Sequence, residues 1–264
     1  MLLSFTPVIF GNYVSASTNA ANFLPNLLAP VDTQNEITLS ENTANYIVSL
    51  LKSRYPATID RRNSSCTDVD FNNTLTALQN YGTSVIYSKG HRGAYTTPTG
   101  YVHYGLAMNN NGTVYDYQIF NRLTKQNVAV AFIWHCETGL IPSLTYEQGV
   151  GYCGLPIAFT NTPGISQNGT SGSKVYLGWT NNVPPFFYQP GGSPQYEYTI
   201  RTPPNTVYNF ANVAALFWMY MDQGCSAYQA LINLSNTIYG KTYASSEIAG
   251  WLVIYGNVNL GLPP

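Results

Sequence analysis

Asn127-Val128-Ala129-Val130-Ala131-Phe132-Ile133-Trp134 reads as a strand with no polar face. Successive strand side chains point to opposite sides of a sheet, so an unbroken apolar run needs cover on both sides. Such a strand belongs in the middle of a mostly parallel sheet with helices on both faces. Working outward, Ser84-Val85-Ile86-Tyr87 is a shorter run closed by Gly90. Further short strands are expected at residues 57–60, Pro156–Thr160, Lys174–Thr180 and Trp251–Tyr255. Between them lie helical patterns. One starts at Ser40, with Ala44, Ile47 and Leu51 on one side, and stops before Pro56. A second covers Phe71–Tyr81, with Leu75 and Leu78 inward. Val207–Asp222 carries Phe210, Val213, Phe217 and Met221 on one stripe and stops at Gly224; Ala227–Tyr239 is ended by Gly240. This alternation of helices and short apolar strands predicts an α/β fold. The Gly-, Pro- and Asn-rich stretches 161–173 and 184–204 are expected to be loops.

Only 9% of the 264 residues are charged, so the polar surface must come from Asn, Thr, Ser, Gln and 22 tyrosines. A net charge of -1 provides no basic field for nucleic acid and no polybasic cluster for anionic lipid. No stretch reaches the length of a membrane-spanning helix. Leu2–Phe10 is apolar and Val14-Ser15-Ala16 fits a small-residue cleavage pattern, so residues 1–16 read as the remnant of an export signal. Residues 17–39, with Pro25 and Pro30, read as an irregular leader, and residues 40–264 as one domain. Asn-x-Ser/Thr triplets at Asn63, Asn72, Asn111, Asn168 and Asn233 agree with an extracellular glycoprotein.

Open parallel sheets place their sites beyond the carboxyl ends of their strands. The run ending at Tyr87 leads into Ser88-Lys89-Gly90-His91-Arg92-Gly93, and the central run leads into His135-Cys136-Glu137-Thr138-Gly139. A histidine and a cysteine on neighbouring strand ends would supply a thiol nucleophile with its base. Cys66, Cys136, Cys153 and Cys225 can alternatively pair in three ways in an oxidising compartment, most simply Cys136 with Cys153 across a short loop. His103, in a Tyr-rich stretch, is the second candidate base, while His135 is expected to pack against the opposite side from Cys136. The histidines and Cys136 lack a tight metal-ligand spacing, and Asp68, Asp70 and Asp116 lack a calcium-loop signature. No metal or cofactor is expected.

The order of these features resembles the clan CD cysteine peptidases, the gingipain/caspase-like family. In that family a His-Gly follows one hydrophobic strand and the cysteine follows a second. Here the separation is 136 minus 91, or 45 residues, similar to the family's gap. Asn45–Arg54 and Leu75–Gly93 look like the gingipain branch's helix, helix, strand and histidine loop. Lys174-Val175-Tyr176-Leu177-Gly178-Trp179 resembles its pocket-wall strand. Phe217–Leu231 is similar to its paired C-terminal helices, and Tyr255-Gly256-Asn257-Val258-Asn259-Leu260 to its closing element. The resemblance implies a three-layer sandwich with peptide or protein substrates. It implies Cys136 as nucleophile, His91 as proton carrier, backbone N–H groups of Cys136 and Gly93 for the oxyanion, and a side-chain pocket at Trp179 and Thr180. Three departures stand out. Arg92 separates His91 from Gly93, Trp134-His135 replaces the family's usual Asp-Ala or similar pair before the cysteine, and Glu137 stands beside the thiol. The competing reading is a non-catalytic extracellular scaffold or binding protein of the same fold, with Cys136 in a disulfide.

Overall fold

The computed structural model describes residues 18–25, 33–187, 200–202, 206–246 and 248–264. The candidate export signal therefore lies outside the described residues. The chain begins with β1 (Thr18–Leu24), α1 (Gln34–Arg54), β2 (Ile59–Arg62), α2 (Asp68–Leu78) and β3 (Thr83–Lys89). A small antiparallel sheet follows, β4 (Arg92–Thr96), β5 (Val102–Ala107) and β6 (Thr113–Tyr115), and then α3 (Asp116–Arg122). Next come β7 (Val128–Trp134), the short pair β8 (Tyr146–Glu147) and β9 (Gly151–Tyr152), α4 (Leu155–Thr160) and β10 (Val175–Trp179). The last part holds β11 (Ile200–Thr202), β12 (Thr206–Tyr208), α5 (Phe210–Asp222), α6 (Ala227–Tyr239) and β13 (Leu252–Gly256).

Six strands form the main sheet in the order β2-β1-β3-β7-β10-β13. All its pairings are parallel except that of β13, which runs antiparallel to β10. The central strand is β7, buried along its whole length, as its lack of a polar face requires. Its side chains divide by the period of two. Val130, Phe132 and Trp134 join one core cluster, while Ala131 and Ile133 join the other. On the first face α1, α5 and α6 contribute Ile47, Leu51, Phe217, Leu231 and Leu234. On the second, α2, α3 and α4 contribute Phe71, Leu75, Ile119, Leu155 and Phe159. Each large apolar side chain so buried is worth about 1.5–3 kcal/mol relative to exposure. Three layers result, because a sheet with two apolar faces needs two helical covers.

Local chemistry sets the helix ends. The Thr33 hydroxyl accepts from Glu36 N, so α1 begins at Gln34 rather than at Ser40. Thr67 and Asp70 cap α2 reciprocally. Ser226 accepts from Gln229 N at the start of α6, and Gly240, at φ 62°, ends it.

Two expectations are corrected. Residues 18–24 are not an irregular leader but an inner strand of the sheet, between β2 and β3. Their Asn19 and Asn22 look like loop residues in sequence, yet both are fully buried. The Asn19 side chain accepts from Ala20 N, and Asn22 Nδ2 donates to Asp60 on β2. Residues 156–160 are not a strand but lie in α4, every residue of which is buried. A five-residue apolar run has no readable period, and Pro156 is compatible with a first helical turn.

Candidate active site

The parallel pairing of β3 and β7 sets Lys89 opposite Trp134 at the carboxyl edge of the sheet. His91 and Cys136 each follow their strand's last residue by two positions, on adjacent strands, at the same level. The direction of the sheet's winding reverses next to this pair, between β1 and β3, since β1 is flanked by β2 on one side and β3 on the other. Such a switch point is where open α/β sheets form their crevice. The residues after the pair are joined across the gap by an ion pair between Arg92 and Glu137. Arg92 also lies 5.9 Å from the Tyr104 ring.

His135 holds this arrangement, a role the sequence did not reveal. Its Nδ1 lies 2.7 Å from the His91 carbonyl and its Nε2 lies 2.8 Å from the Ser88 hydroxyl. A carbonyl only accepts, so Nδ1 carries the proton and Nε2 accepts from Ser88. The ring is fully buried, and burial pulls its pKa down from 6.5 to about 3. It is therefore a neutral brace between the two loops. The same His91 carbonyl accepts from Ala107 N, which ties the loop to the small sheet. A Cβ on Gly90 would come within 2.9 Å of the His135 ring, so the brace depends on a glycine there.

The turn bearing Cys136 is rigid. Glu137 adopts φ 53°, a left-handed conformation uncommon outside glycine and asparagine. The Thr138 hydroxyl donates to Ile133 and His135 carbonyls, and Tyr176 Oη donates to the Thr138 carbonyl. Gly139 passes so close to β10 that an added Cβ would lie 2.9 Å from the Gly178 carbonyl oxygen. Only two glycines facing each other permit that approach.

The other expected site residues are placed as follows. Gly93 lies inside β4 opposite Gly105, where a Cβ would strike Thr113 at 2.4 Å. Trp179 is fully buried, its ring 4.6 Å from that of Trp134, and does not line an open pocket. Thr180 bonds instead to the backbone of Gly250 and Trp251. Cys136 and Cys153 are not joined; all four cysteines are free thiols. Cys136 Sγ accepts from Val183 N at 3.3 Å, and Cys153 Sγ lies 3.7 Å from His103 Nε2.

His103 is thus the neighbour of Cys153, not of Cys136. Its Nδ1 meets Asp116 at 2.7 Å and its Nε2 meets Glu147 at 3.0 Å. Asp116 further accepts from Tyr104 N, Tyr117 N and Gly154 N. In this Cys–His–Asp row the thiol is closed off from solvent. Cys153 is fully buried, and burial, aided by Asp116 and Glu147, pushes its thiol up to about 12. The row works as a clasp between β5, α3 and the β8–β9 pair. Asp68 bonds Asn110 and Asp70 caps Thr67, so these carboxylates do not gather around Asp116. Among the described residues no group of three or more His, Cys, Asp or Glu side chains is set to hold a metal ion, and no helix is long and apolar enough to cross a membrane.

No family model matches the chain, and no curated protein matches it. A solved structure, the protein GSU0716 from Geobacter sulfurreducens, aligns at 16% identity over 47% of this chain, with a TM-score of 0.34. The alignment spans about half of that protein, 52% of its length.

Proposed function

We propose that the protein is an extracellular cysteine-type endopeptidase of the caspase/gingipain-like kind, with Cys136 as nucleophile and His91 as its acid–base partner. One observation carries this reading. The two residues leave the carboxyl ends of adjacent, in-register parallel strands beside the sheet's switch point, which β3 borders. The strand order, with one antiparallel edge strand, and the paired helices α5 and α6 support the same resemblance.

In this reading His91 takes the Cys136 proton and the thiolate adds to a substrate peptide carbonyl. The oxyanion is held by backbone N–H groups, with that of Cys136 as the proposed donor, since the Gly93 N–H is taken up in the β4–β5 ladder. The C–N bond breaks as the imidazolium returns the proton to the leaving amine. Water then splits the thioester, releasing the acid and the thiol. Glu137 stands next to the thiol, but its carboxylate is paired with Arg92, which offsets the repulsion it would exert on a thiolate. Cys136 is a free thiol, which supports the enzyme reading over a scaffold with Cys136 in a disulfide.

The test is covalent labelling with a peptidyl chloromethyl ketone, followed by mass-spectrometric mapping. Label is expected on Cys136, at a rate that falls at least 100-fold in His91→Ala. Equal labelling with and without the imidazole would overturn the dyad.

A further inference from the structure

We infer that residues 181–187 form an internal strap lying where a substrate would lie, and that the pocket filled by Phe186 takes a large aromatic side chain of the substrate. This inference rests on the proposed Cys136–His91 site.

Among the described residues, the backbone of this segment bonds outward to residues of the site or its rim. Asn181 O accepts from Glu137 N at 3.0 Å, directly after the nucleophile. Val183 N donates to Cys136 Sγ at 3.3 Å. Pro184 O accepts from Trp134 Nε1 at 3.1 Å, two residues before the nucleophile. Phe187 N donates to Glu36 Oε2 at 2.6 Å, and the other oxygen of Glu36 pairs with Lys89, two residues before His91. Pro184 and Pro185 fix two backbone φ angles in the segment and themselves offer no N–H for sheet pairing.

Phe186 is fully buried among residues of the two strand ends. Its ring lies 5.0 Å from that of Trp134, and Lys89 Nζ lies 4.4 Å from its centre. Trp179 and Phe210 complete the enclosure around Trp134. A flat hydrophobic ring beneath an ammonium satisfies such walls by edge-to-face contact and by cation–π attraction. Lys89 is neutralised by Glu36, so the enclosure offers no free charge to an acidic or basic side chain. Trp179 Nε1 is buried without an acceptor among the described residues.

The strap offers Cys136 an N–H and not a carbonyl carbon. It lies against the sulfur without presenting a bond to cut. Displacing it requires a chain that makes the same aromatic contact and brings a carbonyl to the thiol.

Two variants test the inference, Phe186→Ala to empty the pocket and Val183→Pro to remove the donor on the sulfur while leaving the aromatic enclosure intact. Each is reacted with tripeptidyl chloromethyl ketones ending in Phe, Lys or Asp, with near-ultraviolet circular dichroism reporting the fold. Labelling of Cys136 by the Phe probe is expected to quicken at least 10-fold in Val183→Pro, and in Phe186→Ala where it folds. In both the Phe probe is expected to exceed the other two by at least 10-fold. Unchanged rates in folded Val183→Pro, or a preference for Lys or Asp, would overturn the strap while leaving the dyad intact. Labelling that is independent of His91 in every variant would instead remove the dyad and the strap with it.

Discussion

His135 shows how one buried imidazole can brace two loops at the carboxyl edge of a sheet. Its ring spans Ser88 on one strand and the His91 carbonyl on the next loop. Only the neutral form fits, because burial holds its pKa near 3 against 6.5 when solvated. The unfolded chain therefore binds a proton between these limits that the folded chain refuses. The resulting stability is complete above pH 6.5 and is lost as pH falls towards 3. The loss approaches about 1.4 kcal/mol per pH unit in that window. Urea unfolding of the wild type at pH 7 and pH 4.5 should show this slope. In His135→Asn the difference between the two pH values should shrink by roughly 2 kcal/mol. An unchanged slope in the variant would mean that the ring is already charged in the folded protein.

At the level of the element, β7 and the turn after it combine a legible part and an illegible one. The apolar run 127–134 names the central strand directly. Nothing in His135-Cys136-Glu137-Thr138-Gly139 announces that Glu137 is left-handed or that Gly139 lies against Gly178. Gly139→Ala is expected to cost about 1–3 kcal/mol, since the added methyl meets backbone at 2.9 Å and Val253 at 2.4 Å. Thermal melting measures the cost. The same variant should slow labelling of Cys136, because the turn that positions the sulfur must shift. A melt within error of the wild type would show that β10 and the turn are free to separate. α4 teaches the converse lesson. Its six residues are buried on every side, so their pattern has no polar face from which to read a period.

Across the whole molecule, the four thiols report both on the fold and on the choice between enzyme and scaffold. Cys66 and Cys153 are fully buried, and burial raises both thiols to about 12. Cys136 and Cys225 are half-exposed. A chromogenic disulfide reagent added to native, unreduced protein should titrate Cys136 and Cys225 first. All four should react only after denaturation. Fewer than four thiols in denatured, unreduced protein would reinstate a disulfide and, if it includes Cys136, the scaffold reading. The sequence by itself determined the α/β class, the central position of β7, helix α6 and the placement of His91 and Cys136 after two apolar runs. Those features depend on local periodicity and on caps, which a short window contains. Only the tertiary structure decided that Thr18–Leu24 is an inner strand, that His103 neighbours Cys153, that His135 braces His91, and that Phe186 fills the space beside Trp134. Each of these joins residues distant in sequence whose polar or aromatic side chains are satisfied by partners from other elements. Such pairing leaves no periodic trace in the chain and exists only once the layers have closed.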